Sequence, residues 1–267
     1  MWMWIVGAIL LVVAVVLFAV RTSQANKLAQ VLAVQTSSCD EAAERCLAAA
    51  QAGLTWSGYQ IEIKGACQPR ETLQAELSGR DCACFKCQVV REWEEERDET
   101  DSEGNRRRRT QRGSDTVSQN EILNPFFVQD DSGSILVDPQ GASIDWVKSV
   151  EKFDRGDPDG GVLSLGGFSL NLGGMRLGGG RRTIGYRYKE WILPLQQQLY
   201  VLGGPGMNGS EPCIQKPTGR EGKYLISVKT EDQLVQGART AVRWLTLFSA
   251  LAAIGGVVLL SMWMAGK

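Results

Sequence analysis

The sequence predicts an α+β membrane protein: two terminal transmembrane helices flanking a β-rich domain, a small antiparallel barrel or sandwich, with a juxtamembrane helical segment. Three observations predict it. The apolar stretches 2–20 and 244–264 carry no charged side chain. At ~1.5 Å rise per residue each is long enough to cross a hydrocarbon layer of about 30 Å as a helix. Between them apolar residues recur at alternate positions in short runs bounded by turn residues, the period of half-buried strands. A signal peptide would show a basic leading region and a shorter apolar core, whereas Met1-Trp2-Met3-Trp4 is uncharged.

The first span, 2–20, carries Trp2 and Trp4 at its outer end, where amphipathic rings prefer the interface. Residues 22–54 form the juxtamembrane segment, a broken helical pair with Leu28, Ala29, Val31 and Leu32 at helical spacing. Within it Ser38-Cys39-Asp40-Glu41 matches a capping box and Gly53 a helix stop. The β-rich domain covers 56–230. Tyr59, Ile61 and Ile63 alternate with Gln60, Glu62 and Lys64, and Ala83, Phe85, Cys87, Val89 and Trp93 alternate with mostly polar neighbours. Phe126-Phe127-Val128 and Ile135-Leu136-Val137 flank Asp130-Asp131-Ser132-Gly133, which predicts a hairpin. Further short strands are expected at 186–193, 199–202 and 224–228, giving five to eight in all. Thr230-Glu231-Asp232-Gln233 is a second capping box. It opens a connecting helix, 231–243, that runs into the second span, 244–264, with Trp244 and Trp263 near its ends.

Composition narrows the chemistry. With 29 basic and 30 acidic residues the net charge is −1, so no whole-chain field favours a polyanion and no nucleic-acid partner is expected. The chain contains no histidine, which excludes Ser-His-Asp and Cys-His nucleophiles, histidine acid–base catalysis and His-ligated zinc hydrolases. Cys82-Ala83-Cys84-Phe85-Lys86-Cys87 is the one run suggesting metal. On a strand, however, Cys82 and Cys84 would face one side and Cys87 the other, so these cysteines are read as small buried residues and no metal or cofactor is expected. Seven cysteines would invite mispairing in an exported domain. Arg21, Lys27, Lys229, Arg239 and Arg243 flank the spans on the domain side against Lys267 on the other, which puts the central domain in the cytoplasm of a multi-pass integral membrane protein.

Two insertions interrupt the strand pattern. Residues 91–115 pass from Glu94, Glu95, Glu96, Asp98 and Glu99 to Arg106, Arg107, Arg108 and Arg109. They form either an extended hairpin whose arms attract or a solvated loop, and the four arginines are the candidate surface for anionic headgroups or phosphates. Residues 157–182 repeat Leu-Gly-Gly at 165–167, 172–174 and 177–179, a density of glycine that predicts a flexible loop. Asp157-Pro158-Asp159-Gly160 hints at a calcium loop, but Arg155 stands where a first carboxylate belongs.

Taken in order, Gly65, Leu77-Ser78-Gly79-Arg80-Asp81-Cys82, Asn124-Pro125-Phe126-Phe127-Val128-Gln129-Asp130, the run from Gly133 to Ala142, the run from Tyr186 to Leu193 and Leu199-Tyr200-Val201-Leu202-Gly203 resemble the GIDE family. Its domain is also called BAM, for beside a membrane, and the resemblance covers residues 56–230. It implies the two-span layout and, for the organellar members, a domain in the intermembrane space and ubiquitin ligase activity carried by a RING finger after the second span. A RING takes about eight Cys or His ligands for two zinc ions, and only Ala265, Gly266 and Lys267 follow Met264. The resemblance is therefore to a prokaryotic-type member lacking the finger. The function expected is a membrane-anchored, non-enzymatic binding or scaffolding domain that recruits a protein or lipid partner at the membrane surface, with self-association open. The alternatives are E3 ubiquitin-protein transferase-type activity with a partner subunit supplying the finger, and a hydrolase or redox protein using Cys82 or Cys84.

Overall fold

The computed structural model describes residues 2–53, 60–100, 106–157, 161–172, 181–218 and 222–265. They divide into two compact units, residues 1–37 with 229–267 and residues 38–228. In the first, α1 (Trp2–Ala33) and α3 (Glu231–Ala265) run antiparallel, their 32 and 35 residues extending about 48 and 52 Å. Both are long and apolar enough to cross a membrane. Val15 and Leu251 are 69% and 65% exposed, two of a series of exposed apolar side chains along both helices.

The two helices meet at their smallest side chains. A Cβ on Gly7 would come within 3.0 Å of Leu260 Cγ, and one on Gly256 within 3.0 Å of the Gly7 carbonyl oxygen. Small residues permit such close approach, which is how helices associate where lipid and side chain are equally apolar. Arg21 Nε donates to Thr246 Oγ1 at 3.0 Å, and the Trp4 and Trp263 rings stand 6.4 Å apart. The sequence reading starts a separate segment at Thr22. Instead α1 continues to Ala33, since no glycine or proline interrupts residues 21–33. The side chains of Trp2, Lys27, Leu28, Ala29, Val31, Leu32 and Lys267 lie outside the described residues. The Thr230 capping box forms: Thr230 N–H donates to Gln233 Oε1 and Gln233 N–H to Thr230 Oγ1, both at 3.3 Å.

In the second unit α2 (Cys39–Gln51) begins at Ser38, whose hydroxyl accepts from Glu41 N–H in a complete capping box. Its buried residues Cys39, Ala42, Cys46 and Ala49 recur three or four apart and pack on a barrel. The barrel strands are β1 (Ile61–Pro69), β5 (Phe126–Gln129), β6 (Ser134–Val137), β12 (Gln198–Asn208) and β13 (Glu211–Gln215). Tyr59 lies outside the described residues. Neighbours run β1-β5-β6-β13-β12, and β1 closes the ring by also pairing β12. The expected β5–β6 hairpin forms with Phe126 across from Val137. The β6–β13 contact is parallel, so the barrel is not purely antiparallel as expected. Its order is that of a five-stranded Greek-key barrel of the OB type.

Closure rests on Gly65. β1 pairs β12 from Ile61 to Ala66 and β5 from Ala66 to Pro69, changing partners where the strands are most crowded. A Cβ at Gly65 would sit 2.8 Å from Val128 Cγ1 and closer still to the Gln129 carbonyl oxygen. Asp130, in the β5–β6 turn, joins α2 to the barrel: its carboxylate accepts from Cys39 N–H at 2.9 Å and Ser132 N–H at 2.8 Å. Burial opposes that charge. Hydrogen bonds from Ser132, Cys39 and Gly133 outweigh it and hold the carboxyl at about 2, so ionised Asp130 caps the helix.

A second sheet grows out of two barrel connections. β2 (Leu73–Gln74), β3 (Asp81–Thr100) and β4 (Arg106–Leu123) lie between β1 and β5, and β8 (Val147–Arg155) and β11 (Arg182–Pro194) lie between β6 and β12. They pair antiparallel as β4-β3-β11-β8, with β2 on the start of β3. Beyond β12 the barrel sheet extends through β14 (Leu225–Ser227) to β7 (Ser143–Ile144). The hairpin of β9 (Val162–Leu165) and β10 (Phe168–Asn171) contributes to the core on one face of the second sheet, where Leu163 meets Phe85, Tyr186 and Tyr188. The expected flexible loop is therefore in part a packed hairpin. Leu165-Gly166-Gly167 makes its turn, with φ +60° at Gly166. Residues 158–160 and 173–180, with the rest of the repeats and most of the calcium-like run, lie outside the described residues.

Gly65→Ala should cost about 2–3 kcal/mol by crowding the strand crossover, measured by denaturant titration of the intact chain in detergent with tryptophan fluorescence. A loss under about 0.5 kcal/mol, within the range of ordinary surface substitutions, would show that the barrel is not closed through that residue.

Candidate functional site

The charged insertion is an extended hairpin, the first of the two forms expected. β11 ends opposite Glu94, yet β3 and β4 stay paired out to Thr100 and Arg106, leaving a two-stranded arm beyond the sheet. Register sets Glu94 across from Arg112, Asp98 from Arg108 and Glu99 from Arg107. Arg112 Nε lies 3.6 Å from Glu94 and Arg108 Nη1 3.9 Å from Glu96, both arginines more than three-quarters exposed. Opposite charges facing across strands contribute about 0.2–1 kcal/mol, here at the low end because water screens them. Arg109 instead faces Arg97. The side chains of Arg106 and Arg107 lie outside the described residues, so the structure places all four arginines on one strand beside the acids but describes only two of their side chains.

The motif segments converge on the interior. Leu77-Ser78-Gly79 turns tightly, with φ +66° at Gly79. The fully buried Glu190 reaches that turn from β11: Leu77 N–H donates to its Oε2 at 2.6 Å, Ser78 N–H to the same oxygen at 3.3 Å, and the Ser78 hydroxyl to Oε1 at 2.5 Å. A buried carboxylate survives only when its oxygens are satisfied in this way. Across the barrel Tyr224 donates its hydroxyl to the Asp138 carbonyl. Tyr200 donates to the buried Glu62 at 2.7 Å, and Lys64 Nζ stands 3.4 Å from the same carboxylate. These polar groups hold segments together and leave little over for a substrate.

The cysteines are buried and unbridged. Sequence alternation puts Cys82 and Cys84 on one side, but the structure separates them. A register shift at Leu193/Pro194 on β11, facing Cys84 and Cys82, lets Cys82 join Cys87 in the core of the second sheet while Ala83 and Cys84 enter the barrel core. Cys82 Sγ donates to the Leu73 carbonyl at 3.7 Å, Cys84 Sγ to that of Asn124 at 3.5 Å and Cys87 Sγ to Glu76 Oε2 at 3.2 Å. Burial pushes the Cys82 thiol up to about 11 and those of Cys84 and Cys87 up to about 12. Such thiols stay protonated at neutral pH and are poor nucleophiles and ligands. Among the described residues no group of three His, Cys, Asp or Glu side chains is placed to hold a metal ion.

One arrangement escapes sequence reading. On the sheet face opposite its core, Lys86 Nζ lies 5.0 Å from the Trp146 ring centroid and 5.3 Å from that of Trp191, an ammonium held between two indoles. Beside it a cavity of about 190 Å³ is lined by Gln88, Gln119, Glu121 and Trp191. Four residues back along β11 from Trp191, Arg187 stacks 5.0 Å from the Phe153 ring and binds Glu92 at 2.7 Å. Alternation on β11 could have put Arg187, Lys189 and Trp191 on one face, but only the fold adds Lys86 and Trp146.

The GIDE family model, described as E3 Ubiquitin ligase, matches residues 94–260, more than half of the chain. It spans the charged arm, four of the five barrel strands (β5, β6, β12 and β13) and most of α3. No curated protein and no solved structure matches the chain.

Glu190→Ala should cost about 3 kcal/mol or more, because the Leu77 and Ser78 amides lose their buried acceptor, and Glu190→Gln should recover part of it by retaining one carbonyl. Equal melting temperatures for wild type and both variants would refute that role. With thiols titrating near 11–12, a maleimide at neutral pH should leave the native cysteines unmodified and label all seven after denaturation. Fast labelling of Cys82 or Cys84 in the native chain would revive the nucleophile reading.

Proposed function

Taking as premise that the chain belongs to the GIDE family, we propose that it is a membrane-anchored, non-enzymatic binding module. It crosses the membrane twice, and its 38–228 domain recruits a protein partner on the cytoplasmic side. One observation carries this reading: the carboxylates and thiols held inside the domain are occupied or kept protonated by the fold itself. Glu190 and Glu62 accept from neighbouring donors, Asp130 caps a helix, and burial keeps the thiols protonated. A RING requires about eight Cys or His ligands, more than the seven cysteines and absent histidines of these 267 residues could supply.

Anchoring at both ends of the domain confines it near the bilayer and raises its effective concentration toward partners there without any new contact. The reduced, buried cysteines suit a reducing compartment, and the basic residues flanking the spans support the same side. The arm carrying Arg106, Arg107, Arg108 and Arg109 reaches furthest from the two cores and offers patterned charge to a partner. A second reading, ubiquitin transfer in a complex whose other subunit supplies the zinc module, is favoured by the description of the family model.

Crosslinking in native membranes followed by mass spectrometry separates the two. Recovery of a partner without a zinc-binding ubiquitin ligase module, together with no ubiquitin discharge by the complex, supports the recruitment module; a RING-bearing partner that discharges ubiquitin replaces it. Changing Arg106–Arg109 together to glutamate should reduce the crosslinked partner at least about tenfold, the scale of losing several complementary charges. An unchanged yield would remove the arm from the recognition surface.

A further inference from the structure

The solvent face of the second sheet combines charge and aromatic surface in a way the fold does not need. Along β11 the residues directed away from the core are Arg187, Lys189 and Trp191, and register sets Phe153, Glu151 and Lys148 of β8 beside them. On the other side lie Val90, Gln88 and Lys86 of β3. Arg155 follows on β8, across from Gly185 and with no side chain opposite.

The acids of this patch, Glu92, Glu151 and, across from Lys86, Glu121, are outnumbered by Lys86, Lys148, Arg155, Arg187 and Lys189. Glu92 is taken by Arg187 at 2.7 Å. Glu151 binds Lys148 at 2.5 Å, and Lys189 and Arg187 also act on it: the hydrogen bond from Lys148 first, then these charges, lower its carboxyl below the usual range. Lys86 is clasped by Trp146 and Trp191. Cationic excess therefore surrounds rings that the sheet leaves half in water. Tryptophan and arginine are the side chains that anchor protein interfaces, and aromatic rings left on a rigid sheet serve recognition better than stability.

We propose that this face is the docking surface for an acidic, extended segment of a partner protein, its carboxylates received by Lys189 and Arg155 and its apolar side chains by Trp191 and Phe153. The inference rests on the recruitment reading above and names the chemistry of the partner. Charge complementarity selects the occupant. A nucleic acid carries one phosphate per ~3.4 Å of strand and relies on a long-range positive field, whereas this chain has a net charge of −1 and the acidic strand of the arm continues from the same sheet. A peptide with a few carboxylates between apolar residues matches both the small local excess and the rings.

The test uses the full chain in neutral detergent and a fluorescein-labelled peptide of about eight residues with glutamate and leucine in turn at every second position and serine between them, so that both kinds of side chain face the sheet. Extended at ~3.3 Å per residue, it covers four strands spaced ~4.8 Å apart. Saturable binding should weaken with salt and fall at least about tenfold in the double variant Lys189→Glu, Arg155→Glu and in Trp191→Ala, while the double variant, altered only in side chains at the surface, keeps the wild-type melting temperature. Equal binding of a lysine–leucine peptide, or indifference to the double variant, would overturn the proposal. A single-stranded dT oligomer bound more tightly than the peptide, and lost in the same variant, would assign the face to nucleic acid instead. Crosslinking of the double variant in native membranes keeps the two readings apart. A partner retained while the peptide fails to bind sinks this inference alone, and no partner crosslinked even to wild type sinks the recruitment module.

Discussion

The pairing of β3 with β11 is the constraint from which the domain is built. These strands belong by hydrogen bonding to one sheet, yet through the irregularity facing Cys82 and Cys84 they place Ala83, Cys84 and Leu193 in the barrel core and Phe85, Cys87, Tyr188 and Ile192 in the core of the second sheet. A strand without the bulge would keep strict alternation and could serve only one core on each face. With it, two cores share a backbone, and movement of one sheet is resisted by close packing in both. Glu190 reinforces the same strand from within, because the turn it holds at Leu77 and Ser78 leads directly into β3.

That economy explains why the domain does not look like a catalyst. Catalytic groups are normally recognised by perturbed titration together with access to a substrate. The strongly perturbed groups here are thiols and tyrosines such as Tyr224, raised first by burial, or a helix-capping carboxylate. Perturbation without access is the signature of structural burial. Several of the residues singled out in the sequence are joints: Gly65 at the crossover, Ser78 beneath Glu190, Asp130 beneath α2, Asp138 against Tyr224. Joints of this kind fix the frame of the domain and leave the composition of its exposed faces free of that duty.

Legibility in the sequence followed the range of the interactions. Features written within a few residues could be read directly: the capping boxes at Ser38 and Thr230, the Asp130–Gly133 hairpin and the uncharged stretches 2–20 and 244–264 within the terminal helices, whereas the acidic and arginine runs left a hairpin and a solvated loop both open. Features that depend on distant partners could not. Nothing near Ile61 announces that its strand pairs Gly203, and the parallel contact of Leu136 with Cys213 joins residues from opposite sides of the β8 and β11 insertion. The packed β9–β10 hairpin was hidden because glycine density signals flexibility, whereas Gly166 supplies a turn and Leu163 an anchor. Alternation misplaced Cys82 relative to Cys84 for a related reason: a bulge breaks the period of two, and its position follows from the partner strand.

The two charged surfaces differ in how their charge is resolved, and this decides what each can recognise. On the arm, the register sets Glu94, Asp98 and Glu99 across from arginines while Arg97 faces Arg109, so charges of both signs are interleaved along two strands and local pattern, not net field, is what the arm offers. On the sheet face, Glu92 and Glu151 are shared among several bases while Arg155 faces a glycine, so a net positive field persists beside half-buried rings. Screening over about 8 Å at physiological ionic strength confines that field to a partner already close by, which suits a chain of nearly neutral overall charge whose recognition domain is tethered at both ends. Attraction at short range with two aromatic anchors would suit selective capture of a neighbour better than long-range collection of polyanions, which is why the docking proposal rests on the sheet and not on the arm.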